Sequence, residues 1–217
     1  MLKGMKEVPA FETYVRESGE RILQEAGEFF MQRGNVYQAL RELARRLGEA
    51  HIPYAVTDTL ALGQHGMPRM TLDIDILLTS DGLREFKARY LGRGFVPAFP
   101  GAEKSFRAAE TGVRIEVLTT GEYPGDGLPK PVRFPDPREA SVEMDGVRFV
   151  TLEKLVELKL ASGMTAPHRL RDLADVQDLI RALRLPADFA ARLDASVRPT
   201  YQQLWNQAQA PDRLQEP

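Results

Sequence analysis

The chain has 217 residues, 43% hydrophobic and 28% charged, and its 29 Lys and Arg against 31 Asp and Glu give a formal net charge of −2. This composition supports a packed core, excludes an intrinsically disordered chain and argues against broad electrostatic capture of nucleic acid or anionic lipid. The absence of cysteine excludes disulfides and thiolate metal sites, and with only three histidines a metal site is expected to use oxygen ligands, which favours Mg²⁺ or Mn²⁺. Because no apolar run is typical of a signal peptide or a membrane span, we expect a cytoplasmic protein with no membrane partner.

Three units are expected in chain order: N-terminal helices, a central α/β core, and C-terminal helices that pack on this core. Their expected bounds are 1–50, 51–150 and 151–217. In the first unit the apolar spacing predicts two helices that break near Gly34-Asn35. In the central unit, helical spacing recurs at 59–65 and at 80–91.

Strand-like segments of the central unit predict a mixed sheet of about five strands. The candidates are residues 52–56, 71–78, 94–98, 104–109, 113–118, 142–144 and 147–150. Asp145-Gly146, between the last two, is a strong signal for a two-residue hairpin. The expected fold class is therefore α+β, with a mixed β-sheet flanked by helices, an N-terminal helical extension and a C-terminal helical bundle.

Residues 120–137 interrupt this pattern with five prolines and three glycines and without periodicity. A loop of this length inside a compact domain is often functional. The alternative is an extended strap across the surface, which we favour slightly.

Two carboxylates share one face of the strongest strand. Side chains alternate along a strand, so Asp73 and Asp75 project together, about 6–7 Å apart at their Cα atoms, while Ile74 and Ile76 face the core. Like charges on a largely buried strand repel one another and lose hydration, and a divalent cation removes both costs. The alternative is a strand end whose two acids simply face water.

A second strand carries a further acid. In residues 113–118, Glu116 lies on the face opposite Ile115 and Val117. If this strand neighbours the first, Glu116 can join Asp73 and Asp75 as a third oxygen ligand. Three carboxylates on a sheet surface suit metal-assisted phosphoryl transfer.

Charged residues also fall on the apolar faces of two later helices. Lys159 lies within the apolar arc of the helix after Thr151, so it must snorkel to solvent, pair with a buried acid or contact an anionic ligand. On the next helix, Arg169 and Asp172 project onto the apolar face, and Asp175 rotates away from it. Arg169 and Asp172 can pair with each other or meet Lys159 and a nucleotide at the sheet.

Together these residues resemble the nucleotidyltransferase superfamily, the fold shared by DNA polymerase beta and minimal nucleotidyltransferases, and within it the AbiEii-type, type IV toxin group. The resemblance covers residues 36–183. It rests on Tyr54-Ala-Val, Leu60-Ala61, His65-Gly66, Pro68-Arg69, Thr71 and Asp73-Ile-Asp75-Ile-Leu-Leu, and later on Lys159, Arg171-Asp172 and Asp175.

The resemblance implies transfer of a nucleoside monophosphate from a nucleoside triphosphate (NTP) to a hydroxyl on RNA, protein or a small molecule. It implies Mg²⁺ or Mn²⁺ bound at Asp73, Asp75 and Glu116, which are also the expected catalytic residues. The expected nucleotide-binding residues are Asp58, Thr59, Arg69, Lys159 and Asp172. A toxin-like role would further imply a cognate antitoxin-like protein.

One position departs from the family pattern. The family has Gly-Gly or Gly-Ser at the start of the helix before the acidic strand, where this chain has Asp58-Thr59. A side chain and a negative charge there oppose close approach of a triphosphate. Either the nucleotide binds differently, Asp58 is an extra metal ligand, or the chain is a non-catalytic relative that binds a nucleotide or a partner protein.

Overall fold

The computed structural model describes residues 10–16 and 18–210, and within them the strands form one seven-stranded mixed sheet in the order β3-β4-β5-β2-β1-β7-β6. The strands are β1 (Tyr54–Val56), β2 (Asp73–Leu78), β3 (Phe95–Pro97), β4 (Ser105–Ala108), β5 (Arg114–Thr119), β6 (Ser141–Met144) and β7 (Val147–Val150). The mixed sheet flanked by helices is as predicted. The expected number of about five strands was too low, because all seven candidate segments, including β3 and the hairpin β6–β7 at the two edges, join the same sheet.

Helices precede, interrupt and follow the strands. They are α1 (Phe11–Arg16), α2 (Gly19–Phe30), α3 (Asn35–Glu49), α4 (Asp58–Gln64), α5 (Ser80–Tyr90), α6 (Leu152–Thr165), α7 (Leu170–Leu183) and α8 (Arg198–Ala208), with 3₁₀ turns at Pro167–Arg169 and Ala187–Arg192. The N-terminal segment was expected to hold two helices, but its described part holds three. The expected units also include residues 1–9, 17 and 211–217, which lie outside the described residues. None of the helices in the described part of the chain has the length and apolar character needed to cross a membrane.

The central strands have a mixed pairing that brings the two acidic strands side by side. Strand β2 is antiparallel to β1 and parallel to β5, and β1 is in turn parallel to β7. In the β2–β5 ladder, Ile74 is paired with Ile115 and Asp75 with Glu116. The adjacency that the sequence analysis had to assume is therefore confirmed.

Different helices pack on the two faces of the sheet. On one face, Phe86 of α5 packs against Phe95 and Phe106 with ring centroids 5.2 and 5.3 Å apart, over fully buried Ile74 and Ile115. On the other face, Asp75 lines a pocket together with Leu155, Leu158 and other residues of α6. The alternation of β2 thus directs its isoleucines into the core and its acids toward α6.

The turn Asp145-Gly146 forms the predicted two-residue hairpin between β6 and β7. Both residues have positive φ, 50° and 77°, which is the requirement of the tight turn that joins β6 to β7. Asp tolerates this conformation better than most side chains, and glycine adopts it freely.

Candidate active site

Asp73, Asp75 and Glu116 lie on one face of neighbouring strands. Asp75 is paired directly with Glu116, and Asp73 with Arg114, in the parallel ladder. Their neighbours Ile74 and Ile115 are fully buried on the opposite face. The register therefore places three carboxylates and one guanidinium on the same surface of the sheet.

Two of these acids already have bonded partners. The Asp73 carboxylate accepts a hydrogen bond from Thr71 Oγ1 at 2.6 Å. Glu116 accepts from Ser105 Oγ at 2.7 Å and pairs with Arg114 Nε at 2.9 Å, while Arg114 also lies 3.9 Å from Asp73. Arg114 thus offsets part of the negative charge of Asp73 and Glu116.

Asp75 has a different environment. It is half-buried, and no side chain of the described residues donates a hydrogen bond to its carboxylate. Burial raises the pKa of Asp75 well above its usual value, and the negative charges of Asp58, Asp73 and Glu116 raise it further. An acid held in this way among other acids is energetically unfavourable unless a cation joins it.

Lys159 of α6 occupies the centre of a second charge cluster. Its Nζ atom donates to Asp58 at 2.5 Å, to Asp172 at 3.0 Å and to Asp175 at 2.8 Å, and the residue is 4% exposed. Burial acts to lower the pKa of Lys159, but the three carboxylates outweigh it and hold the pKa above its ordinary value. Of the alternatives open from the sequence, pairing with buried acids is the one that the structure adopts.

Lys159 and its three acids, Asp58, Asp172 and Asp175, are called the lysine cluster below. The carboxylates of this cluster are spaced closely enough to be the ligands of one metal ion. Carboxylate oxygens of Asp58, Asp172 and Asp175 lie within 4.8 Å of one another, whereas Asp73, Asp75 and Glu116 do not form such a group among the described residues. An ammonium has three donors, and Lys159 uses all of them on these acids. In this form of the protein, the cation at the centre of the cluster is therefore the lysine itself.

Three further side chains hold the lysine cluster in place. Arg69 donates to both carboxylate oxygens of Asp175 and, at 3.2 Å, to Thr59 Oγ1. Ser162 Oγ donates to Asp172 at 2.6 Å. These bonds join α4, the segment before β2, α6 and α7 at one point.

Helical spacing misplaced Asp175. The sequence predicts that Asp175 rotates away from the apolar face of α7, but the residue is 2% exposed and bonded to Lys159 and Arg69. Asp172, three residues earlier, is 7% exposed and lies in the same cluster. The face that α7 presents to α6 is wider than its apolar stripe, since the lysine on α6 makes acids favourable there. The sequence signal that could have placed Asp175 was its position three residues after Asp172, since residues three apart share one side of a helix and Lys159 was already expected on the buried side of α6.

Asp75 and the lysine cluster line one pocket of roughly 460 Å³, including its open mouth. Its charged lining is Asp58, Asp75, Lys159, Arg169 and Asp172, and its apolar lining is Leu118, Pro124, Phe134, Leu155 and Leu158. Pro124 and Phe134 belong to the proline-rich segment 120–137. This segment is therefore a strap, as favoured from the sequence, and it also forms a wall of the pocket.

Hydrogen bonds pin this strap to the core. Thr120 Oγ1 donates to Leu78 O and Pro135 O at 3.2 and 3.0 Å, and Lys130 Nζ donates to Pro124 O at 2.5 Å and to Thr165 Oγ1 at 3.2 Å. The strap is thereby attached both to the end of β2 and to the end of α6.

Asp58 has a left-handed backbone, with φ of 51°. Glycine adopts this conformation freely, and among other residues Asp and Asn tolerate it best. The position that departs from the family pattern thus has a backbone suited to glycine, but it carries a carboxylate that faces Lys159.

No protein-family model matches the chain, and no curated protein matches it significantly. Similar solved structures include a candidate nucleotidyltransferase from Thermotoga maritima, with 21% identity and a TM-score of 0.45 over 65% of this chain and 91% of that one. They also include JHP933 from Helicobacter pylori, with 17% identity and a TM-score of 0.44 over 81% and 89% of the two chains. A third is ANT(2″)-Ia in complex with adenylyl-2″-tobramycin, with 13% identity and a TM-score of 0.44 over 76% and 92%.

Proposed function

We propose that this chain is a metal-dependent nucleotidyltransferase that transfers a nucleoside monophosphate from an NTP to a hydroxyl. The observation that carries the proposal is the position of Asp75. It lies opposite Glu116, two residues from Asp73, and has no bonded partner among the side chains of the described residues. A divalent cation would offset the charge that burial and the neighbouring acids disfavour at Asp75.

The donors at this site fit Mg²⁺ or Mn²⁺. Carboxylate oxygens are the ligands that these ions prefer, and Asp73, Asp75 and Glu116 would supply them. Asp73 would turn from Thr71, and Glu116 from Arg114, to join Asp75. When bound, the metal would neutralise triphosphate charge and activate the attacking oxygen.

The remaining chemistry belongs to the chain's own residues. The acceptor oxygen forms a bond to the α-phosphorus, the bond from that phosphorus to the pyrophosphate oxygen breaks, and pyrophosphate leaves with the electron pair. Glu116 receives the hydroxyl proton, since it lies directly beside Asp75 on the same sheet face. The side chains of Leu118, Phe134 and Leu155 form an apolar wall of the pocket, and the nucleoside would pack against it.

A thermal-shift titration tests the proposal. Each NTP is added with and without Mg²⁺ or Mn²⁺ to the wild-type chain, to Asp75→Asn and to Asp178→Asn, an exposed acid of α7 that serves as the matched control. Saturation about 100-fold above the dissociation constant should stabilise the folded state by about 2.7 kcal/mol. We expect a metal-dependent shift in the wild type and the control that is absent in Asp75→Asn. The same shift in Asp75→Asn, or none in the wild type, would contradict the proposal.

A non-catalytic relative that binds a nucleotide or a partner protein is the second candidate. It is favoured by the Lys159 cluster, in which every ammonium donor already has a carboxylate, so that no donor is free for phosphate. Such a relative would show binding without release of pyrophosphate from any NTP. The acceptor, whether RNA, protein or small molecule, and a toxin-like role with an antitoxin-like partner stay predictions from the resemblance.

A further inference from the structure

Asp58 joins the two cations that face the pocket. Its Oδ1 atom is 2.5 Å from Lys159 Nζ, and its Oδ2 atom is 3.8 Å from an amino nitrogen of Arg169. Asp58, Lys159 and Arg169 all line the pocket. A carboxylate bridging a lysine and an arginine at a pocket wall stands where a phosphate oxygen from a ligand could equally bind.

Asp58 is the least firmly held of the three acids on Lys159. Asp172 has a second bonded donor in Ser162, and Asp175 has one in Arg69. The side chains of Asp172 and Asp175 are 9% and 3% exposed, whereas that of Asp58 is 27% exposed. Asp58 is therefore the acid that can leave Lys159 with the smallest loss of bonds.

Asp58 supplies one of the three carboxylates that contact Lys159. Lys159, Arg69 and Arg169 pair with these carboxylates, those of Asp58, Asp172 and Asp175. Without Asp58, Lys159 has one free donor at the pocket wall, and Arg169 keeps only its contact with Asp172. An unpaired ammonium donor in a half-enclosed pocket attracts an anion more strongly than it does in water.

Asp58 also lies close to the unpartnered acid. Thr57, the residue before it, donates its backbone N–H to Asp75 O at 2.9 Å, and Asp58 and Asp75 line the same pocket. A cation bound at Asp75 would attract the Asp58 carboxylate away from Lys159.

We propose that Asp58 is an internal anion that occupies a phosphate position between Lys159 and Arg169, and that a divalent cation bound beside Asp75 draws it away. Cation binding then opens the anion site, so that the two ligands bind in a coupled manner. The second half of this inference rests on the metal site proposed above. The first half concerns only residues bonded to one another in the structure.

Calorimetric titration with inorganic pyrophosphate in EDTA tests the first half. Asp58→Gly removes the carboxylate and suits the left-handed backbone, so we expect it to bind pyrophosphate at least tenfold more tightly than the wild type. Asp145→Gly is the matched control, because it removes an exposed Asp with nearly the same φ, 50°, from the hairpin turn. Pyrophosphate binding by Asp58→Gly no tighter than that by the wild type would overturn the inference.

Titration with Mn²⁺ alone tests the second half. Asp58→Asn keeps the side-chain volume and removes the charge, and far-UV circular dichroism confirms that each variant is folded. We expect Mn²⁺ to bind Asp58→Asn at least tenfold more weakly than the wild type, since the displaced carboxylate joins or faces the metal. Equal affinities would overturn the coupling. Failure of the proposed function would instead appear as no Mn²⁺ binding by the wild type, a result distinct from the pyrophosphate measurement.

Discussion

Asp75 and Glu116 are paired residues of the parallel β2–β5 ladder, and the ladder holds both carboxylates on the face that α6 covers. Backbone hydrogen bonds fix the register of the two residues, so their Cα atoms cannot move apart without loss of the ladder, while the carboxylates can still rotate. The repulsion between them, and with Asp58 and Asp73, is built into the folded state.

Asp75→Asn should therefore stabilise the metal-free protein. The substitution removes a charge that burial and three neighbouring acids disfavour, and we expect the free energy of unfolding at neutral pH to rise by about 1–2 kcal/mol. Urea denaturation in EDTA measures it, with Asp178→Asn as the control. A lower free energy of unfolding for Asp75→Asn would show that the carboxylate is stabilising in the folded state.

Lys159→Met should have the opposite effect. Three carboxylates would lose their shared ammonium, and two of them are buried. Breaking a buried ion cluster on one side costs about 3–5 kcal/mol. Lys104→Met, which removes an exposed pair with Glu122, should cost less than about 1 kcal/mol. Similar losses for the two variants in urea denaturation would mean that the lysine cluster contributes no more than a surface pair.

Gly125→Ala should detach the strap from α6. The glycine has φ of 75°, and an added Cβ would lie 2.8 Å from Ser162 O and closer still to Thr165 Oγ1. We expect a loss of about 2–3 kcal/mol from the combined clash and backbone strain. Gly127→Ala is the matched control, because φ is 73° there and nothing lies within 4 Å of the added atom. Equal losses in urea denaturation would attribute the effect to the backbone alone.

Glu12→Gln should remove a pH-dependent contribution to stability. Glu12 of α1 accepts two hydrogen bonds from Arg107 of β4, at 2.7 and 2.9 Å, and this pairing holds the pKa of Glu12 below its usual value. The contribution of a carboxyl whose pKa is lowered by folding is present above the unfolded pKa of about 4.3 and is lost as the pH falls through the folded pKa.

Urea denaturation from about pH 7 to about pH 3 measures this contribution. Glu12→Gln should be less stable than the wild type by about 1 kcal/mol at neutral pH, and the difference should shrink in acid. The exposed Glu20→Gln serves as the control. A difference that is the same at every pH would assign the effect to packing.

Much of the candidate site was predictable because it depends on local spacing. The alternation of β2 places Asp73 and Asp75 on one face, and the α6 pattern places Lys159 on the buried side, as the structure has them. Asp175 could not be placed in this way, since only the lysine on the neighbouring helix makes its burial favourable. Arg114 was also missed as a partner of Glu116, although the two residues are two apart on β5 and strand alternation places them on one face.

The sequence by itself determined most of the strands and helices and which side chains of β2 and β5 share a face, since these follow from the two- and 3.6-residue repeats of the backbone. The tertiary structure alone decided that β2 lies beside β5 in the register that opposes Asp75 and Glu116, and that α4, α6 and α7 meet at Lys159. Those relationships join residues far apart in the chain, so they depend on the packing of the whole core rather than on any local repeat.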